Sequence, residues 1–163
     1  MEHSHEIRLG AAEVPLPASL DGPVGTTIVD VGWDPSHVLS ITSWLSSLLS
    51  TSRFVVLVAT VSVPSLRRLE NTLAVMPTTA TVVAAVVGPP LKRWPKPVMG
   101  STGTLTHHLI DANRLVTIPT VDSLRLAGVT PEPLPQPVLS AAAEVVRIVD
   151  QLLPTPTEAE KDV

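Results

Sequence analysis

The six-residue run Phe54-Val55-Val56-Leu57-Val58-Ala59 is apolar at every position. A strand with one wet face alternates apolar and polar side chains; a strand covered on both faces does not have to. The run therefore predicts a central strand in a sheet with helices on both sides. The next segment agrees with that. Pro64 opens a stretch in which Leu66, Leu69, Leu73 and Met76 recur at helical spacing, and Pro77 stops it. Arg67, Arg68, Glu70 and Asn71 fall on the opposite, solvent-directed side.

The strand-then-helix alternation repeats along the chain. An apolar segment over 26–31, containing Thr27-Ile28-Val29-Asp30, reads as a strand ending on a carboxylate. Asp34 is placed to cap a helix over 35–50 that has Pro35 at its first position. Val38, Ile41, Trp44, Leu45 and Leu48 give that helix one apolar face. A strand over 82–87 ends at Gly88-Pro89-Pro90, and the basic loop Lys92-Arg93-Trp94-Pro95-Lys96 leads to a helix over 103–112. A strand over 115–118 is closed by Pro119, and a Pro-rich loop runs to Pro137 and the last helix. There Val138, Ala142, Val145, Val149 and Leu152 form the apolar face. Four strands alternating with four helices predict a mostly parallel, doubly wound, three-layer α/β sheet. The expected organisation is an irregular arm over 1–25, one α/β domain over 26–153 and a loose polar tail over 154–163.

Composition narrows the chemistry. With one Phe, three Trp, no Tyr and many Val, the interior suits a parallel sheet. The absence of Cys excludes disulfides, thiolate metal sites and cysteine nucleophiles. Eleven Lys plus Arg against fifteen Asp plus Glu gives a net charge of −4, so no global basic field draws in nucleic acid or membrane. No apolar run approaches the ~20 residues of a membrane span. The acidic opening Met1-Glu2-His3-Ser4-His5-Glu6 is not that of a secretory signal. The expected location is the cytoplasm.

Several segments in this order carry a resemblance. They are Ile28-Val29-Asp30 as a strand ending in a carboxylate, Val55-Val56-Leu57-Val58 with the run Thr60-Val61-Ser62-Val63-Pro64-Ser65-Leu66-Arg67-Arg68 after it, the strand end Val86-Val87-Gly88, and Ile118-Pro119 with Asp122 shortly after. Over roughly 26–153 the chain resembles the C-terminal portion of ParA/MinD-like P-loop NTPases, closest to actinobacterial-type members. The resemblance implies a P-loop-NTPase-like or Rossmann-like sheet. It puts Asp30 at the carboxylate position that helps place Mg²⁺ and water, a weak metal assignment, and Pro119 and Asp122 in the region lining the adenine. The departures are large. No G-x-x-x-x-G-K-[ST] occurs, and Gly88 stands where the family often carries Asn for the base. The resemblance with these departures implies a vestigial nucleotide site, with no cofactor expected and ATP with Mg²⁺ bound only if a partner chain completes it.

Each candidate site has a structural alternative. Gly22-Pro23-Val24-Gly25-Thr26-Thr27 looks like a phosphate loop, but it precedes a strand and has no Lys, so it reads as a turn. Asp30 and Asp34 sit where α/β sheets place ligands, yet Asp34 also suits a helix cap. Lys92, Arg93 and Lys96 with Ser101 and Thr102 form the best anion-site candidate, and Trp94 offers a surface for stacking or for a protein partner. The alternative is a solvated basic loop anchored by its Trp. His107 and His108 are adjacent on a helix and cannot share a face, so one should pack and one should be exposed. His3 and His5 lie on a terminus without a supporting shell.

The leading expectation is a non-catalytic, degenerate ParA/MinD-like scaffold or regulatory protein working through a protein partner, either a homodimer or a full-length paralogue. The resemblance implies DNA segregation, conjugative transfer or cell-division placement as candidate processes. The first alternative is an ATPase subunit completed by a phosphate loop from a partner chain. The second is a small phosphoanion or nucleic-acid binder using the 92–104 loop.

Overall fold

The computed structural model describes residues 10–16 and 27–152. Most of the expected N-terminal arm, the loop-like 22–26 stretch, His3, His5 and the tail over 154–163 lie outside them.

Three parallel strands, β1 (Phe54–Thr60), β2 (Thr81–Val87) and β3 (Leu115–Ile118), form one sheet in the order β1-β2-β3. The helices are α1 (Pro35–Leu39), α2 (Trp44–Thr51), α3 (Val63–Val75), α4 (Lys96–Met99), α5 (Thr104–Asp111), α6 (Asp122–Ala127) and α7 (Gln136–Leu152). The α/β class and the parallel sheet agree with the sequence reading. The strand expected over 26–31 is not among them. Residues 27–31 join no strand, and Ile28 is 91 % exposed. Val31 and Trp33 pack on the core, but Ile28 and Val29 pair with no strand, and strand propensity without pairing does not make a strand.

The central strand is β2 rather than β1. Residues 82–86 are buried without interruption. Val82, Ala84 and Val86 join the larger core with Leu57 and Ala59 of β1, Leu66 and Leu69 of α3, and Val38, Leu45 and Leu49 of α1 and α2. Val83 turns to the other face, where Val116, Ala141 and Ile148 close a smaller core under α7. α7 packs on β3 and β2, and it buries Ala141 and Ile148. Ala142, expected on that face, is exposed: the buried stripe is rotated by about one residue from the face read in the sequence.

Local chemistry explains the helix boundaries. Asp34 Oδ1 accepts from Ser36 N–H at 2.9 Å and caps α1, with Pro35 next in the chain, as the sequence predicts. The helix expected over 35–50 breaks in two because Ser43 and Ser46 form a reciprocal capping box that starts α2 afresh. Trp44 donates its Nε1–H to Val14 O at 2.8 Å and ties the 10–16 segment to α2. A helix not foreseen, α6, forms inside the loop after β3.

Leu66 is fully buried where α3 meets the sheet. Leu66→Ala is expected to lower stability by about 2–5 kcal/mol through lost burial and a residual cavity, read from chemical denaturation.

Candidate functional site

Parallel α/β sheets present ligands beyond the C-terminal ends of their strands. In this protein that end carries the turns after Thr60, Val87 and Ile118. Toward the first half of α3, which follows β1, Asp34 Oδ2 contacts Arg68 Nε at 3.7 Å. Both side chains are well exposed, so the pair contributes little. Together with Ser36, Pro64, Arg67 and Asn71 they line an open hollow of about 530 Å³. Its one carboxylate is already engaged, by the helix cap on one oxygen and by Arg68 on the other.

The residues assigned to a vestigial nucleotide site are not gathered. Asp30 is exposed and its Oδ1 accepts from Gly32 N–H at 3.3 Å, a local turn contact. Pro119 lines a different hollow, also about 530 Å³, between the β3 edge and α7, with Leu91, Asn113 and Glu144 among its walls. Asp122 begins α6, is exposed and pairs with Arg125 at 3.4 Å. Among the described residues, no group of three or more His, Asp or Glu side chains is placed to hold a metal ion around Asp30 or elsewhere.

The strand end at Gly88 is closed by the protein itself. Gly88 has φ of +153°, its N–H donates to Ile118 O at 2.9 Å, and Val61 N–H donates to Val87 O at 3.0 Å. A Cβ at Gly88 would stand 2.7 Å from Val61 Cβ. Glycine is required because Val61 occupies the space beside it.

The anion-site candidate has a more specific fate. Lys92 and Arg93 are exposed on a single 3-10 turn, Leu91–Arg93, and Lys96 is exposed at the start of α4. The Ser101 hydroxyl donates to Val98 O at 2.7 Å, and the Thr102 hydroxyl donates to Met99 O at 2.6 Å. Neither is directed outward to a ligand. Trp94 is only 6 % exposed and donates its Nε1–H to Pro89 O at 2.9 Å, so it plugs its own loop rather than presenting a stacking face or a partner anchor. His107 and His108 are both exposed, and His107 Nε2 lies 2.9 Å from Thr102 Oγ1.

The turn over 100–104 does open a helix whose first amides lack a cap, since Gly103 has no side chain to offer. The anion that fills it is internal. Glu70, reaching across from α3, accepts from Leu105 N–H (2.8 Å) through Oε1 and from Thr106 N–H (2.9 Å) and Thr106 Oγ1–H (2.6 Å) through Oε2. Gly103 admits it, because a Cβ there would overlap the Glu70 carboxylate. Burial is the largest influence on Glu70 and pushes its pKa up. The hydrogen bonds from the Thr106 side chain and from the Leu105, Thr106 and Gly103 backbone together outweigh it and hold the carboxyl below its ordinary value. Sequence reading set Glu70 among the solvent-facing residues of its helix. The signal that could have found it is the uncapped Gly103-Thr104 helix start, whose orphan N–H groups need an acceptor from elsewhere.

No protein-family model, curated protein or solved structure matches this chain.

Glu70→Gln should cost about 1–2 kcal/mol at neutral pH, because the clamp then loses its charged acceptor. Since the folded-state pKa is depressed, that stabilisation is fully present above the unfolded value near 4.5 and is lost as pH falls through the folded pKa, so the gap between wild type and variant should close on acidification. Denaturation midpoints across an acid series would show it. Gly88→Ala should cost about 1–3 kcal/mol, from its positive φ and from overpacking against Val61. Val61→Ala removes the Cγ2 methyl but leaves the Cβ contact and the backbone strain, so it should recover only a minor part in a double-mutant cycle.

Proposed function

We propose that this protein is a non-catalytic α/β association module, a degenerate relative of the ParA/MinD-like NTPases that acts by holding a protein partner rather than by turning over nucleotide. The observation that carries the reading is the apolar surface left bare on the α7 side of the sheet. Val56 and Val58 of β1 point to that side and are 42 % and 73 % exposed. α7, which packs on β3 and β2, exposes Leu139 and Val146. Ser140 and Glu144 of α7 line the hollow against the β3 edge, and at 100° per residue the flank bearing Ala142 and Val146 is then turned the other way, toward β1. A sheet floor and a helix wall meet there in an apolar step, and contiguous exposed apolar surface of this kind marks interaction sites. The resemblance supplies DNA segregation, conjugative transfer or cell-division placement as processes in which such a module would serve.

The decisive test is calorimetry with Mg·ATP and Mg·ADP on the wild type and on Asp30→Ala. No heat of binding at ~0.1 mM protein is expected from either. Micromolar binding in the wild type that disappears in Asp30→Ala would overturn the reading in favour of a nucleotide-binding subunit.

A further inference from the structure

Among the described residues, the outer edge of β1 is a strand edge without the usual protections. Its seven residues include no Pro, no charge and no bulge, whereas natural edges are normally guarded by such features. The direction of its backbone groups is fixed by its neighbour. Thr81 N–H donates to Arg53 O (2.7 Å) and Val61 N–H donates to Val87 O (3.0 Å), so odd-numbered groups of β1 serve the ladder with β2. The alternation of that ladder turns the N–H and C=O of Phe54, Val56 and Val58 outward. The row stops at Thr60, whose N–H is taken by Ser65 Oγ (2.9 Å) and whose C=O accepts from Ser62 N–H (2.8 Å). The chain's own nearby candidate, residues 27–31, does not fill the edge.

We infer that this edge pairs with β1 of a second copy of the chain, antiparallel about a two-fold axis through Val56, an inference that rests on the association reading. In that register Val56 faces the partner's Val56 and Phe54 faces the partner's Val58. Antiparallel pairs of this kind exchange two hydrogen bonds each, so the three pairs use every outward group of both strands and end where the Thr60 caps begin. Val56 and Val58 of both copies then lie together on one face of a six-stranded sheet, where cross-strand Val contacts cover part of each. Charge does not oppose the two-fold, since β1 itself carries none. Arg53, exposed just before the strand, is set by an antiparallel partner at the opposite end of the seam from its symmetry mate, whereas parallel pairing would place the two side by side. Head-to-tail pairing of β1 on the partner's β3 is disfavoured: β3 offers four residues before Pro119, and such a contact propagates without closing.

A seven-residue edge is a small interface, so the dimer should have a dissociation constant on the order of 10 µM. Sedimentation velocity of the full chain from ~1 µM to ~0.5 mM is the test. Wild type should pass from monomer to dimer. Val58→Lys, which changes an exposed side chain on the strand, should be monomeric throughout with an unchanged circular-dichroism spectrum and melting curve. Val146→Lys, on the α7 wall, should dimerise like wild type. A wild type that stays monomeric to the top of the range, a dimer that survives Val58→Lys, or one abolished by Val146→Lys overturns edge pairing. Such a result leaves the nucleotide calorimetry, and with it the association reading, to be judged separately.

Discussion

Five consecutive side chains of β2 are buried, and a strand can bury both faces only where helices cover each of them. Every other placement in the protein answers to that requirement. Val82, Ala84 and Val86 need α1, α2, α3 and α5 on one side, and Val83 needs α7 on the other. With the strands in the order β1-β2-β3, both crossovers, through α3 and through α4 and α5, move the chain one position along the sheet. Among the described residues that leaves a single helix, α7, to cover the second face, and it sits over β2 and β3. The bare side of β1 is the direct consequence of three strands sharing one covering helix.

The C-terminal end of the sheet is organised by contacts the protein makes with itself. Val61 fills the space beside Gly88, Trp94 closes the loop after Pro89, and Glu70 occupies the helix start that anion chemistry would otherwise favour. In a ligand site, preorganised donors wait for an external group. Here the Leu105 and Thr106 amides already hold a carboxylate from α3, which converts a binding geometry into a clamp between two helices. What faces outward elsewhere includes apolar side chains, Val56 and Val58 of β1 and Leu139 and Val146 of α7.

Much of the fold was legible because it rests on short-range chemistry. Pro35 after Asp34, Pro64 after Ser62 and the leucine stripe of α3 each act within a turn or two of the chain, and each element formed where those signals lie. The apolar runs of β1, β2 and β3 were equally readable. Residues 27–31 were misread because their composition is that of a strand while their pairing is a long-range matter. Trp94 was misread for a related reason: a Trp in a basic, Pro-rich loop looks like an exposed anchor until the loop folds back and supplies Pro89 O to its indole.

The sequence by itself determined that the chain alternates apolar strands with amphipathic helices, where most helices begin, and that no thiol chemistry is available, since these depend on side-chain type and local backbone preference. Tertiary structure alone decided that β2 and not β1 lies at the centre, that Glu70 answers the orphan amides of α5 some 36 residues away, and that Val56 and Val58 face outward. A run of six apolar residues looks the same whether one neighbouring strand is present or two. The difference lies in which elements the folded chain has left to cover it.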